Sequence, residues 1–296
     1  MIIQRLAERN GLSEEKAEER IASQMSAEAR VAKCHVPMSS AFGMEDLRSQ
    51  LASALADATE RASMTLPSCE PNTPAGTFHK LCKEIGVSRS LQHKWWGKIR
   101  DHYSSAGRYY HDLTHVSKML KRVDAWNSKG LLSNPIVVGF SVLFHDVIYD
   151  AKNGGGGKNE IQSAELFREF AADVNAPGLP QADIDAVAKY IERTMKHHDG
   201  PATGDLAYFL DADLQVFGFP PAKYAEYTKQ CRLEYAHMPG FGPNGFPKGR
   251  LAVMRNFLDK EVIYYGALAE ECDAQARKNL ADEIKRLERR VAASEP

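Results

Sequence analysis

Hydrophobic positions along this chain recur at helical spacing, and no stretch shows the sustained polar–apolar alternation of a half-buried strand. The pattern predicts helices over 78–84, 88–103, 113–128, 135–149, 160–174, 181–197, 204–216, 221–237, 249–262 and 266–292. Two more helices, polar and rich in alanine, are expected over 13–26 and 44–61. Ser13 is the N-cap of the first, and glutamates fill its first turn. Between the two groups, residues 62–75 hold three prolines among small polar residues, the composition of a linker. Loops are expected at 152–158, KNGGGGK, and at 239–249, PGFGPNGFPKG. The predicted architecture is all-α: a helical bundle over 76–296 behind a short helical extension, 1–61.

Composition narrows the function. Of 296 residues, 43% are hydrophobic and 26% charged, an ordinary balance for a globular chain. A net charge of -1 supplies no basic field for nucleic acid or an anionic membrane. A small phosphorylated ligand needs only a local positive site and stays open. Cys34, Cys69, Cys82, Cys231 and Cys272 are scattered and form no CxxC, as expected of reduced thiols inside a cell. No run approaches the ~18 apolar residues of a membrane span, and the first residues turn polar too early for a signal peptide. The expected location is cytoplasmic.

Six positions then carry chemistry. His111 and His115, in RYYHDLTHV, are four apart and would share one face of a helix. The apolar run IVVGFSVLF ends directly on His145-Asp146. A carboxylate there costs heavily to bury unless it is paired or bound to metal. Asp211 and Asp213 follow in the apolar setting FLDADLQVFG. Two apart, they cannot point the same way on a helix. A histidine pair or an HD dipeptide alone is weak. Two imidazoles and two carboxylates in helical placement are a ligand set for a divalent ion that keeps positions open for water and substrate.

The order His, His-Asp, Asp resembles the HD superfamily of metal-dependent phosphohydrolases. The resemblance implies His115, His145, Asp146 and Asp213 as ligands, with Asp211 the alternative for the last. The spacing YHxxxH is also similar to the start of the cyclic-nucleotide phosphodiesterase site, which implies His111 as proton donor to the leaving oxygen. The segments RYYHDLTHVSKML, LFHDVIYD, NEIQSAELF, TMKHHDG, FLDADLQVFG, YTKQCRLEY, GRLAVMRNFL and ARKNLADEI together look like a bacterial and fungal subfamily of predicted HD phosphohydrolases, over about 91–290.

Residues 3–32 resemble the lid region of dephospho-CoA kinase, whose lid arginines cover ATP phosphates. The chain has no GxxxxGK[ST], and its glycine-rich run into lysine, Gly154 to Lys158, lacks that spacing. The expectation is a kinase remnant without that ATP site.

Other residues are open to two readings each. Glu160 could hold a water or a second metal, or serve as a first-turn helix acid. His197 and His198 could supply a second metal or favour a helix C-terminus. Arg108, Lys196 and Arg232 are candidate phosphate ligands. Arg232 and Glu234-Tyr235 also suit a buried ion pair. Trp95-Trp96 read as one core ring and one rim ring, and 266–292 as a packing helix or a homodimer helix.

The expected activity is hydrolysis of a phosphomonoester or phosphodiester of a nucleotide or similar small metabolite, using a divalent ion (Mn, Co, Fe, Mg or Zn). Three rivals stand beside it: a di-iron HD-fold oxygenase, a non-catalytic nucleotide- or CoA-related binding module, and a dephospho-CoA kinase in the sense of its N-terminus.

Overall fold

The computed structural model describes residues 73–151, 156–235 and 245–293, with isolated positions 13, 15, 16, 48 and 51. Apart from those isolated positions, the helices expected over 13–26 and 44–61, and most of the 62–75 linker, lie outside the described residues. Contacts divide the chain into two units, 1–66 and 67–296, and the helical bundle is the second. Among the described residues of this bundle there are ten α-helices and no strand.

Local chemistry sets the helix starts. α1, Pro74–Glu84, is capped by Thr73, whose Oγ1 accepts from Gly76 N at 3.1 Å, and Pro74 occupies its first turn. This helix therefore begins inside the stretch expected to be linker, four residues before 78. α2, Arg89–Tyr103, is capped by Ser88. α3, Leu113–Asn127, is capped by Asp112, which accepts from Thr114 N at 2.7 Å and His115 N at 3.2 Å. α4, Pro135–Phe144, has Asn134 as cap and Pro135 in its first turn.

Residues 158–293 complete the set. α5 is Lys158–Val174, α6 Gln181–Arg193 with a 3-10 turn at Thr194–Lys196, and α7 Gly204–Leu214 with a 3-10 turn at Gln215–Gly218. α8 is Pro221–Tyr235, α9 Gly245–Leu258 and α10 Leu268–Ala292. α9 starts four residues earlier than expected, so 245–249 is helix and not loop. Pro247 falls in its first turn, where the missing N–H costs nothing.

α4 is the hub of the fold. It is buried from Val137 through Phe144 on every side, as a helix apolar all round must be. α1, α3, α5, α6 and α7 all pack against it. Phe140 and Phe144 meet Phe167 and Phe170 of α5 at ring separations of 5.2 to 5.9 Å. Each such ring, fully buried, contributes roughly 1.5–3 kcal/mol. A second layer forms where α9 and α10 pack together and α10 covers the 215–218 turn. Trp95 and Trp96 are both buried, so neither is a rim ring; Trp95 reaches Asp173 with its Nε1 at 2.7 Å. No helix among the described residues is long and apolar enough to cross a membrane.

Candidate metal centre

α4 stops at Phe144, not at 149, and this early end presents the His-Asp pair. His145 keeps helical angles as the C-cap, with its N–H on Ser141 O at 2.9 Å. Its Nδ1 donates to Val142 O at 2.9 Å, which turns Nε2 toward the other side chains of the cluster. The chain then turns, and Asp146 projects beside His145.

Two more elements converge here. His115 lies in the first turn of α3, and its Nε2 is 3.2 Å from His145 Nε2. Asp213, from the end of α7, places Oδ1 3.1 Å from His115 Nε2 and 3.7 Å from His145 Nε2. Asp146 Oδ2 is 3.0 Å from His145 Nε2 and 3.8 Å from His115 Nε2. Ligand atoms about 2.1 Å from one ion stand roughly 3.0–3.4 Å apart, from octahedral to tetrahedral. The separations of 3.0 to 3.2 Å are edges of that size. His115, His145 and Asp213 form a buried cluster that could hold a metal ion.

The charges agree with this reading. Burial works against the ionised form of Asp146, but His145 overcomes it and holds the carboxyl far below the usual range. Burial opposes Asp213 too, and hydrogen bonds from His115, His145 and His197 drive it well down. Burial lowers His115, whereas Asp146 overrides burial and raises His145. Two carboxylates thus stay ionised around facing imidazoles, which is the donor set a divalent cation completes.

His111 sits just outside α3, because Asp112 takes the cap position; it does not share a helical face with His115. It still comes within 6.0 Å of the His115 ring. Its ring stacks on Tyr149 at 4.3 Å, and its Nδ1 is 2.7 Å from Glu234 Oε2. Glu234 Oε1 accepts from the backbone N–H groups of Tyr109, Tyr110 and His111 at 2.9, 2.8 and 2.9 Å. Burial would lower the His111 pKa; Glu234 outweighs it and the net shift is upward. Glu234, fully buried, is held below its ordinary value by the same pairing.

Glu234 was not legible as the partner of His111, although a signal existed. Tyr224, Tyr227, Cys231 and Glu234 are the buried positions of α8, spaced three, four and three apart. A glutamate on an apolar stripe has to meet a proton donor inside.

The other candidates part company in the folded chain. Asp211 accepts from Tyr265 N at 2.7 Å and Gly266 N at 2.8 Å, so it anchors the segment before α10 and does not replace Asp213. Burial raises its carboxyl to about 6 against the pull of those N–H groups. His197 joins the cluster, with Nε2 2.7 Å from Asp213 Oδ2. His198 does not: its Nε2 donates to Ile263 O at 3.2 Å.

Arg108 is committed to the protein. It donates to Asp146 O at 2.6 Å, Val147 O at 2.8 Å, His111 O at 3.0 Å and Ser105 Oγ at 3.1 Å. The guanidinium fork is therefore spent on holding the His-Asp turn, not on a phosphate. Lys196 is exposed on the 3-10 turn next to His197. Arg232 is exposed and lines a separate cleft, so it is not part of this centre.

Glu160 lies in the first turn of α5 and has one carboxylate oxygen, Oε2, buried with no hydrogen-bond partner. Burial lifts its pKa, with Asp146 and Asp213 adding to the rise. Gly157, at φ 83, lets α5 begin there, and a side chain at that position would collide with Met195.

Comparison of the chain with protein-family models, with curated proteins and with solved structures finds no match. What this centre can do is decided by its own atoms.

Proposed function

We propose that this chain is a metal-dependent phosphohydrolase of the HD type, acting on a phosphomonoester or phosphodiester of a nucleotide or similar small metabolite. One observation carries the reading: the Nε2 atoms of His115 and His145 converge at 3.2 Å between the carboxylates of Asp146 and Asp213. His115, His145, Asp146 and Asp213 would hold the ion. A divalent cation bound there supplies Lewis-acid polarisation of a phosphoryl oxygen and makes water acidic enough to attack at neutral pH.

The chain's own residues do the rest. His111, held at Nδ1 by Glu234, which raises its pKa, would donate from Nε2 to the leaving oxygen. Stacking on Tyr149 fixes the plane of the ring for that transfer. Glu160, with its unpartnered oxygen, accepts from the attacking water and orients it. Lys196 meets a phosphate oxygen from the open side. Arg108 keeps Asp146 in place through the backbone carbonyls of the turn.

The test is phosphate release from a panel of nucleotides, phosphorylated CoA precursors and a chromogenic phosphate ester, with Mn, Co, Mg or EDTA. Release from at least one member with metal, and none with EDTA, is expected. Equal release by His145→Ala would sink the reading.

A second reading is favoured by His197. Asp213 turns Oδ1 toward His115 and Oδ2 toward His197, the stance of a carboxylate shared between two cations. A two-iron oxygen-using centre would exploit it. Iron at about two per chain, with oxygen consumption and no phosphate release, would decide for that chemistry.

A further inference from the structure

The cleft that Arg232 lines takes no part in the proposed hydrolysis. It lies between α8, α9 and α10 and measures about 380 Å³. Phe246 and Leu287, both buried, line its apolar part. Lys229 and Arg232 reach it from α8, and Arg286, Arg289 and Arg290 from α10. Among its described lining residues Glu283 is the one carboxylate. That carboxylate is already engaged: it receives Arg250 Nε at 3.0 Å and the hydroxyl of Tyr224. Five cationic side chains therefore border one concavity, in a chain whose net charge is -1.

Helix ends explain part of this. Arg232 is in the last turn of α8, and Arg289 is in the last turn of α10, where the dipole favours cations. Lys229 and Arg286 lie further back on the same helices and still border the cleft. Lys229 also lies 4.0 Å from Glu226 Oε2, whereas Arg232, Arg286 and Arg289 gather like charges whose repulsion an anion between them would relieve. Guanidinium forks match phosphate oxygens two at a time, and Arg232, Arg286 and Arg289 together offer more forks than a single phosphate can occupy. The volume falls in the roughly 300–1,000 Å³ range of small-molecule sites. A concave site of that size favours a small polyanion over a nucleic acid strand.

We propose that this cleft binds a linked polyphosphate, either as a free chain or as the phosphate arm of a nucleoside di- or triphosphate. The site shares no residue with the metal centre, and the proposal does not depend on the hydrolase reading.

The experiment is calorimetric titration of the full chain with sodium tripolyphosphate and, separately, with ATP, in EDTA so that no metal bridges protein and ligand. Wild type is expected to bind tripolyphosphate and to gain thermal stability from it. Arg286→Glu combined with Arg289→Glu should weaken binding by about tenfold or more. His145→Ala should bind as wild type does. Tighter binding of ATP would identify the nucleotide arm as the ligand, and equal binding the free chain. No binding by wild type, or undiminished binding by the double variant, overturns the proposal. Loss in His145→Ala with retention in the double variant also overturns it, because the anion would then sit at the metal centre. Affinity that grows with the length of a single-stranded oligonucleotide, not with the number of linked phosphates, would do the same. Should charge reversal disturb folding by circular dichroism, Arg286→Gln with Arg289→Gln carries the same expectation.

Discussion

Two sets of charged side chains are buried in residues 67–296, and they are completed differently. Around Arg250 every charge meets its opposite. Its guanidinium contacts Glu283 at 3.0 and 3.4 Å and lies 4.9 Å over the Tyr227 ring, and Tyr224 donates to the same carboxylate. Around His115 the set is left open. Two Nε2 atoms face each other at 3.2 Å, two carboxylates stay ionised beside them, and Glu160 Oε2 has no partner. A closed network holds helices together. The set around His115 has the donors that could hold a cation.

The largest expected effect lies on the open side. Asp146→Ala and His145→Ala should each lower phosphate release by more than ~10³-fold, with several kcal/mol of transition-state stabilisation lost. Metal content measured on the purified variants should fall with it. Wild-type turnover and metal content in both would erase the distinction between the two networks.

Next comes the closed side. Arg250→Met leaves Glu283 as a buried unpaired carboxylate and should cost roughly 3–5 kcal/mol in urea unfolding. Metal content should stay that of wild type. A stable variant that loses its metal would show that the two networks are one.

Arg108→Gln sharpens the boundary between holding and binding. Loss of the contacts to the Asp146 and Val147 carbonyls should weaken metal binding about 10–100-fold. KM for a phosphate ester, measured at saturating metal, should barely move. A raised KM with intact metal affinity would return Arg108 to the phosphate role expected from sequence.

The smallest effect is pH-dependent. His111 is raised above its ordinary 6.5, so its contribution is full below pH 6.5 and is lost as pH climbs through the raised value. Glu234 is lowered below its ordinary 4.5, so its contribution is full above pH 4.5 and is lost as pH falls through the lowered value. The pair therefore stabilises most between pH 4.5 and 6.5. The stability difference between wild type and Glu234→Gln should peak in that window at about 1–2 kcal/mol. A difference that is flat with pH would mean that the pair is not ionic.

How much of this was legible beforehand depended on the range of the interaction. Helix positions were, because apolar spacing and caps such as Ser88 are local. The ends drifted where two local signals compete. Pro74 and Pro247 read as breakers, yet a first turn accepts proline. The run through Tyr149 looked continuous, yet α4 ends at Phe144. Of the site, His115, His145, Asp146 and Asp213 were named from their order along the chain. Asp211 and Asp213 could not be told apart there, since only the backbone of Tyr265 and Gly266 claims Asp211. Arg108, Arg232 and His198 were proposed from their chemical type. Each is taken up or displaced by surroundings that lie tens of residues away in the chain.

By itself, the sequence determined that the bundle is helical, that the run before His145-Asp146 is apolar, and that imidazoles and carboxylates fall near helix ends. Those properties follow from spacing and composition, which act between near neighbours. The tertiary structure alone decided which carboxylate joins the cluster, that Glu234 rather than a nearby residue grips His111, and that five cations from two helices share one cleft. Such choices depend on distances of a few ångströms between segments far apart in the chain, and only the packed helices set those distances.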